Sequence, residues 1–174
     1  MNLKNILLIK LLLIMLIIVN LNAKRDLPTF FEKLDSPVKA ENFILKNMEG
    51  ENVKLSDFKE KTIILNFWAT WCPPCREEMP SLQKFYEKVK DKNIVVLALA
   101  HGENEDDVFP FVSQMQHEAT FPILLDSDKS ISIIYGVKAM PTTFLINKEG
   151  YITHYTIGAR NFNSKEFINM ILKF

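Results

Sequence analysis

Two cysteines in 174 residues are too few for a framework of bridges, and two thiolates alone leave a tetrahedral metal short of ligands. The three histidines, His101, His117 and His154, fall in different segments with no ligand spacing, so none is given a role and no metal site is expected. A net charge is missing too. Twenty-one basic side chains balance twenty-one acidic ones, and no basic stripe is interleaved with aromatics, which argues against a nucleic-acid partner. No internal repeat or low-complexity tract follows the N-terminal segment. What is there, 48% hydrophobic and 24% charged residues, suits one globular domain with a sizeable core.

The first 23 residues stand apart from that domain. Lys4 and Lys10 precede the apolar run 11–19, the order of charged and hydrophobic regions in an export signal. The run is too short to span a bilayer, which takes roughly 20 apolar residues. With Lys10 snorkelling to the interface, residues 3–21 could instead serve as an uncleaved anchor. Residues 1–23 are therefore read as a signal peptide or a membrane anchor, and either reading carries the rest out of the cytoplasm. Residues 24–40 show no clear period and contain Pro28 and Pro37, as a linker would. The domain is expected over 41–174.

Within it, short strands at 43–45 and 53–55 flank a turn closed by Gly50. The runs 62–69 and 93–100 lack strict alternation, which marks strands buried on both faces. From 73 to 90, Met79, Leu82, Phe85, Tyr86 and Val89 recur at helical spacing, with a kink expected at Pro80. A second helix is expected over 105–117, bent near Pro110, followed by a short strand at 121–126 and a short helix over 129–135 ended by Gly136. A hairpin turns at 147–150, and a final helix starts at Asn163 with Glu166 as its capping-box partner. Alternating β and α units ending in a hairpin predict an α/β fold with a mixed sheet and helices on both faces.

Cys72 and Cys75 fall at the joint between a buried strand and a helix N-terminus. A bridge across so short a loop stabilises little, whereas unpaired helix amides and the macrodipole favour an anionic sulfur there. The position favours redox chemistry over a structural staple or a metal site.

The segment NFWATWCPPCREEMPSL, with YGVKAMPTTFLINKEG downstream, resembles the thioredoxin superfamily, and within it the extracytoplasmic thiol-disulfide oxidoreductases of the TlpA/ResA type, relatives of the thioredoxin of cytochrome c maturation. The likeness spans residues 40–174. It implies a thioredoxin-like fold with an N-terminal hairpin and a central insertion, no bound cofactor, and a redox-active Cys72–Cys75 disulfide. Cys72 looks like the attacking thiol and Cys75 like the resolving one. Glu78 matches an active-site glutamate and is a candidate proton acceptor for Cys75, the more so because Asn66 stands where many thioredoxins bury an aspartate. A carboxylate about 6 Å from a thiolate disfavours it by about 3 kcal/mol, against up to about 2 kcal/mol of help from the helix N-terminus, so Cys72 should not be extremely acidic. Pro73 and Pro74 withdraw two amides from the Cys72 sulfur, which makes the dithiol a better reductant.

Trp71, Pro73, Pro74, Met140 and Pro141 are the surface that a partner would meet, with the Met140–Pro141 bond expected in cis and facing the thiols across a shallow apolar groove. The implied function is reduction of disulfides in partner proteins, apocytochrome c being one substrate class, with re-reduction by a membrane thiol reductant of the DsbD/CcdA type. A disulfide oxidant or isomerase, and a Cu(I) carrier using the same two sulfurs, are the alternatives.

Overall fold

The computed structural model describes residues 30–115 and 119–174. The expected signal or anchor, the start of the linker and His117 lie outside the described residues. Among those described, no helix is long and apolar enough to cross a membrane.

The first strand, β1 (Glu32–Lys39), is followed by the hairpin β2 (Ile44–Asn47) and β3 (Asn52–Lys54) and a 3-10 turn at Leu55–Phe58. Then come β4 (Thr62–Trp68), α1 (Pro73–Val89), β5 (Ile94–His101), α2 (Glu105–Val112), β6 (Ile123–Asp126) and α3 (Ser130–Ile134). The chain closes with β7 (Thr142–Ile146), β8 (Tyr151–Ile157) and α4 (Lys165–Ile171). The eight strands form one mixed sheet in the order β1-β8-β7-β4-β5-β6-β2-β3. β4 pairs in parallel with β5 and antiparallel with β7, and β5 pairs in parallel with β6. This is the thioredoxin-like α/β fold that the motifs implied.

All seven residues of β4 are buried. Strand alternation then divides them between two cores. Ile64 and Trp68 face one with Met79, Leu82 and Phe85 of α1 and Phe167 and Ile171 of α4. Ile63, Leu65 and Phe67 face the other with Ile131 of α3, Phe43 and Leu55. β5 splits the same way, Val96, Ala98 and Ala100 against Val95, Leu97 and Leu99. Residues with a polar task in β4 and β5 are therefore assigned a side of the sheet by their parity.

Several expectations change in detail. Most of the 24–40 linker that is described is not an arm: β1 lies along β8 at the edge of the sheet, with a shift of register between Lys33 and Val38 where Pro37 sits. An edge strand with a bulge tolerates proline, and mostly exposed side chains give no apolar period to read. Helix α2 ends at Val112 rather than near 117, with Pro110 inside it. Pro80 lies within α1 on its exposed face, where the carbonyl of Arg76 can meet water. The cap of α4 is Ser164, whose hydroxyl accepts from the amide of Phe167 at 3.2 Å; Asn163 instead accepts from Lys88 Nζ at 2.6 Å.

Helix α4 is held by aromatic packing. Phe167 is fully buried, with its ring 4.6 Å from that of Phe30, 4.8 Å from Phe85 and 5.1 Å from Phe162. Phe167→Ala should lower the unfolding free energy by about 3–5 kcal/mol in urea titrations, since the cavity is walled by three separate segments that cannot all collapse into it. A loss below about 1 kcal/mol would mean that α4 is not fastened through this ring.

Candidate active site

β4 carries the chain to the C-terminal edge of the parallel strands, and a turn reverses it into α1. The turn is fastened from outside by Glu103, whose carboxylate accepts from the Thr70 amide at 2.9 Å and from the Thr70 hydroxyl. The amide of Cys72 donates to the carbonyl of Ala69 at 3.2 Å. Cys72 is then the N-cap of α1. Because Pro73 and Pro74 fill the first two helical positions without amides, Cys75 supplies the first free N–H, and it donates to Cys72 Sγ at 3.3 Å. One backbone donor therefore remains on that sulfur from the first turn.

Cys72 and Cys75 are joined in a disulfide. Cys72 keeps 4% of its surface and Cys75 none, so an incoming sulfur can reach Cys72 alone. A groove of about 420 Å³ opens there, lined by residues 71–74, by 137–140 from the loop before β7, and by His101 at the end of β5. Trp71 stands on its rim, 64% exposed. The Met140–Pro141 peptide is cis, as expected. Met140 lines the groove, while Pro141 is buried and its carbonyl accepts from Gly158 at 2.8 Å. Among the described residues, Met140 makes no backbone hydrogen bond of its own.

Behind the disulfide, one helical turn past Cys75, Glu78 is 2% exposed. Asn66 of β4 donates to Glu78 Oε1 at 2.8 Å and to Thr143 Oγ1 of β7 at 2.9 Å, and the Arg160 amide donates to Glu78 Oε2 at 3.1 Å. Burial pushes the Glu78 carboxyl up to about 7, against the smaller opposing effects of the Asn66 and Arg160 hydrogen bonds and the Arg160 charge. A carboxyl that titrates near neutrality beside a buried cysteine can both take and return a proton.

The structure thus gathers Trp71, Cys72, Pro73, Pro74 and Met140 on one groove, and buries Cys75, Glu78 and Pro141 behind it. Four contributors escaped the sequence reading. Thr143 and the Arg160 amide hold Asn66 and Glu78 from distant segments, and Glu103 pins the turn. His101 could have been suspected, because ligands gather where parallel strands end.

A dithiol–disulfide pair with one reachable sulfur, a groove beside it and a buried carboxyl behind it defines a thiol-disulfide oxidoreductase. Residues 38–155 match the AhpC/TSA family, to which this chain belongs. It is 38% identical over 142 residues to the thiol-disulfide oxidoreductase ResA of Bacillus thuringiensis, covering 82% of this chain and 79% of that protein. The ResA of Bacillus subtilis is 36% identical over 127 residues, 73% of this chain and 70% of its own. Among solved structures, StoA from Bacillus subtilis superposes with a TM-score of 0.64 at 30% identity, over 76% of this chain and 99% of that one. A protein described as the thiol:disulfide interchange protein DsbE of Chlorobium tepidum gives a TM-score of 0.72 at 34% identity, over 80% and 97%.

The buried carboxyl has a cost that depends on pH. With its folded value at about 7 against an ordinary 4.5, the native state binds more protons between those values, so ionising Glu78 lowers stability as pH rises through that window. That displacement corresponds to roughly 3 kcal/mol. In denaturant titrations of the oxidised protein across this range, Glu78→Gln should remove most of that pH-dependent loss. A variant that still lost as much stability on going from acid to neutral would place the titrating group elsewhere.

Proposed function

We propose that this chain is an extracytoplasmic reductant of protein disulfides. Cys72 attacks a partner's disulfide in the groove, Cys75 resolves the mixed disulfide, and Glu78 takes the Cys75 proton. Residues 1–23 export the domain or hold it at the outer face of the membrane. A compartment that oxidises thiols needs electrons delivered from elsewhere, so a membrane thiol reductant of the DsbD/CcdA type re-reduces the pair. An unfolded chain bearing a cysteine pair, such as apocytochrome c, suits a groove with an exposed Trp71 and an unpaired Met140 backbone, to which an extended segment can bond. The observation that carries the reading is the asymmetry of the pair: Cys72 keeps an opening on a peptide-sized groove, while Cys75 is closed and lies one helical turn from the buried carboxyl of Glu78. The two prolines support the reducing direction, since they leave the Cys72 thiolate with few backbone donors.

The test uses three forms of the protein. Cys72→Ser should abolish disulfide reduction, and Cys75→Ser should attack once and accumulate as a mixed disulfide visible by non-reducing mass spectrometry. Normal turnover by Cys75→Ser would reverse the roles. For direction, equilibration of the wild-type pair against glutathione or dithiothreitol should give a potential below about −270 mV; a value near −120 mV would make the protein an oxidant instead.

A further inference from the structure

We propose that His101 is a second proton-handling group of the exchange site, serving the partner's sulfur as Glu78 serves Cys75. This rests on the assignment of Cys72 as the attacking thiol. His101 ends β5 and lines the groove that also holds Cys72, the half-buried side chain lying on the α3 side of the sheet by its parity in the strand. Its Nδ1 is 2.8 Å from Ser132 Oγ. The Ser132 hydroxyl donates to Asp126 Oδ2 at 2.5 Å, and the same buried carboxylate accepts the amides of Ile131 at 3.0 Å and Ser132 at 2.9 Å. A hydroxyl has one proton, and here it is spent on Asp126. The bond to His101 must then run the other way, from Nδ1–H to Ser132 Oγ. The neutral ring is locked in the Nδ1–H tautomer, with Nε2 free of a partner among the described residues and able to exchange a proton in the groove.

Asp126 and Ser132 are positioning residues in this arrangement, set on β6 and α3. The charged groups around the ring are Asp126 and Glu103, which favour its protonation, and Lys129, which opposes it; Lys138 lines the groove as well. Burial and Lys129 outweigh the two carboxylates, so the ring loses its proton more readily than an ordinary histidine, whose value is 6.5.

The Cys72 thiolate forms a bond to one sulfur of the partner's disulfide as the partner's S–S bond breaks, and the displaced sulfur takes the proton from Nε2 of the imidazolium. Cys75 then gives its proton to Glu78 and attacks Cys72, expelling the second partner sulfur, while His101 regains a proton from water. Two electrons have passed from the cysteine pair to the partner, whose second sulfur also leaves with a proton taken at Nε2. In the reverse direction, when a reducing thiol attacks the Cys72–Cys75 disulfide, neutral Nε2 takes that thiol's proton.

The consequence is a dependence on the leaving sulfur. An alkyl thiolate gains from a proton as it leaves; the pyridine-4-thiolate expelled from 4,4′-dithiodipyridine spreads its charge onto the ring nitrogen and needs none at sulfur. Stopped-flow rates for the reduced protein should be measured with hydroxyethyl disulfide and with 4,4′-dithiodipyridine, in wild type, His101→Gln and Ser132→Ala. With hydroxyethyl disulfide, the ratio of wild-type to His101→Gln rates should climb to roughly tenfold or more as pH falls below 6.5, and approach one well above it. With 4,4′-dithiodipyridine the ratio should stay near one throughout. Ser132→Ala, which frees the ring without removing it, should show a smaller loss with the same selectivity, and decides the matter if His101→Gln does not fold. Equal slowing on both disulfides, or no slowing on either, would overturn the role of His101. Failure of wild type to react with 4,4′-dithiodipyridine would instead overturn Cys72 as the attacking thiol.

Discussion

A carboxylate that is buried a helical turn behind a disulfide has to be given hydrogen-bond donors, and the rest of the site is arranged around that requirement. Left unpaired, Glu78 would cost several kcal/mol or remain protonated throughout the useful pH range. Its donors come from the central strand, through Asn66, and from the segment after β8, through the Arg160 amide. Asn66 is itself fastened to Thr143 of β7. The same network therefore ties α1 to β4, β4 to β7, and the end of β8 back to α1. Ser81 adds a second link on that side, accepting from the amide of Phe162 at 3.1 Å. The helix that carries both cysteines can tilt only if several of these bonds break together, which keeps the Cys72 sulfur where the groove needs it.

The disulfide separates two environments. On the groove side the surface is a mixture of an exposed indole, proline rings and an unengaged stretch of backbone, which suits an extended chain of varied sequence. On the other side, one helical turn past Cys75, the buried Glu78 carboxyl is held by Asn66 and the Arg160 amide, with Thr143 fastened to Asn66. The balance at Glu78 is between desolvation and hydrogen bonding, and desolvation wins by enough to bring the carboxyl to neutrality without making it permanently neutral. Two donors to a carboxylate are enough to keep the ionised form accessible and too few to make it dominant in acid.

Much of the fold was legible because its central strands are buried on both faces. The runs in β4 and β5, the helical spacing of α1 and the turn residues of the two hairpins each reflect a local physical demand that composition can meet in only a few ways. The elements that were missed are those without such a demand. β1 is an exposed edge strand with Pro37 at its bulge, so it has neither a period nor an apolar run. The cap of α4 depends on which of two adjacent polar residues turns inward. Packing of Phe167 among Phe30, Phe85 and Phe162 decides where that helix begins to pack, and neighbours in space cannot be read from spacing along the chain.

The same division runs through the site. Sequence alone determined the reactive pair, its place at a helix N-terminus, the withdrawal of two amides by Pro73 and Pro74, and the position of Glu78 one turn on, because all of these follow from the geometry of a single helix. The cis bond before Pro141 was reached through resemblance. Tertiary structure alone decided that Asn66, Thr143 and Arg160 converge on Glu78, and that Glu103 holds the turn. It also brought His101 to the groove and turned its Nδ1 towards Ser132. Those properties depend on burial and on donors contributed by residues up to 82 positions apart, and a chain acquires them only when the sheet brings its distant strands together.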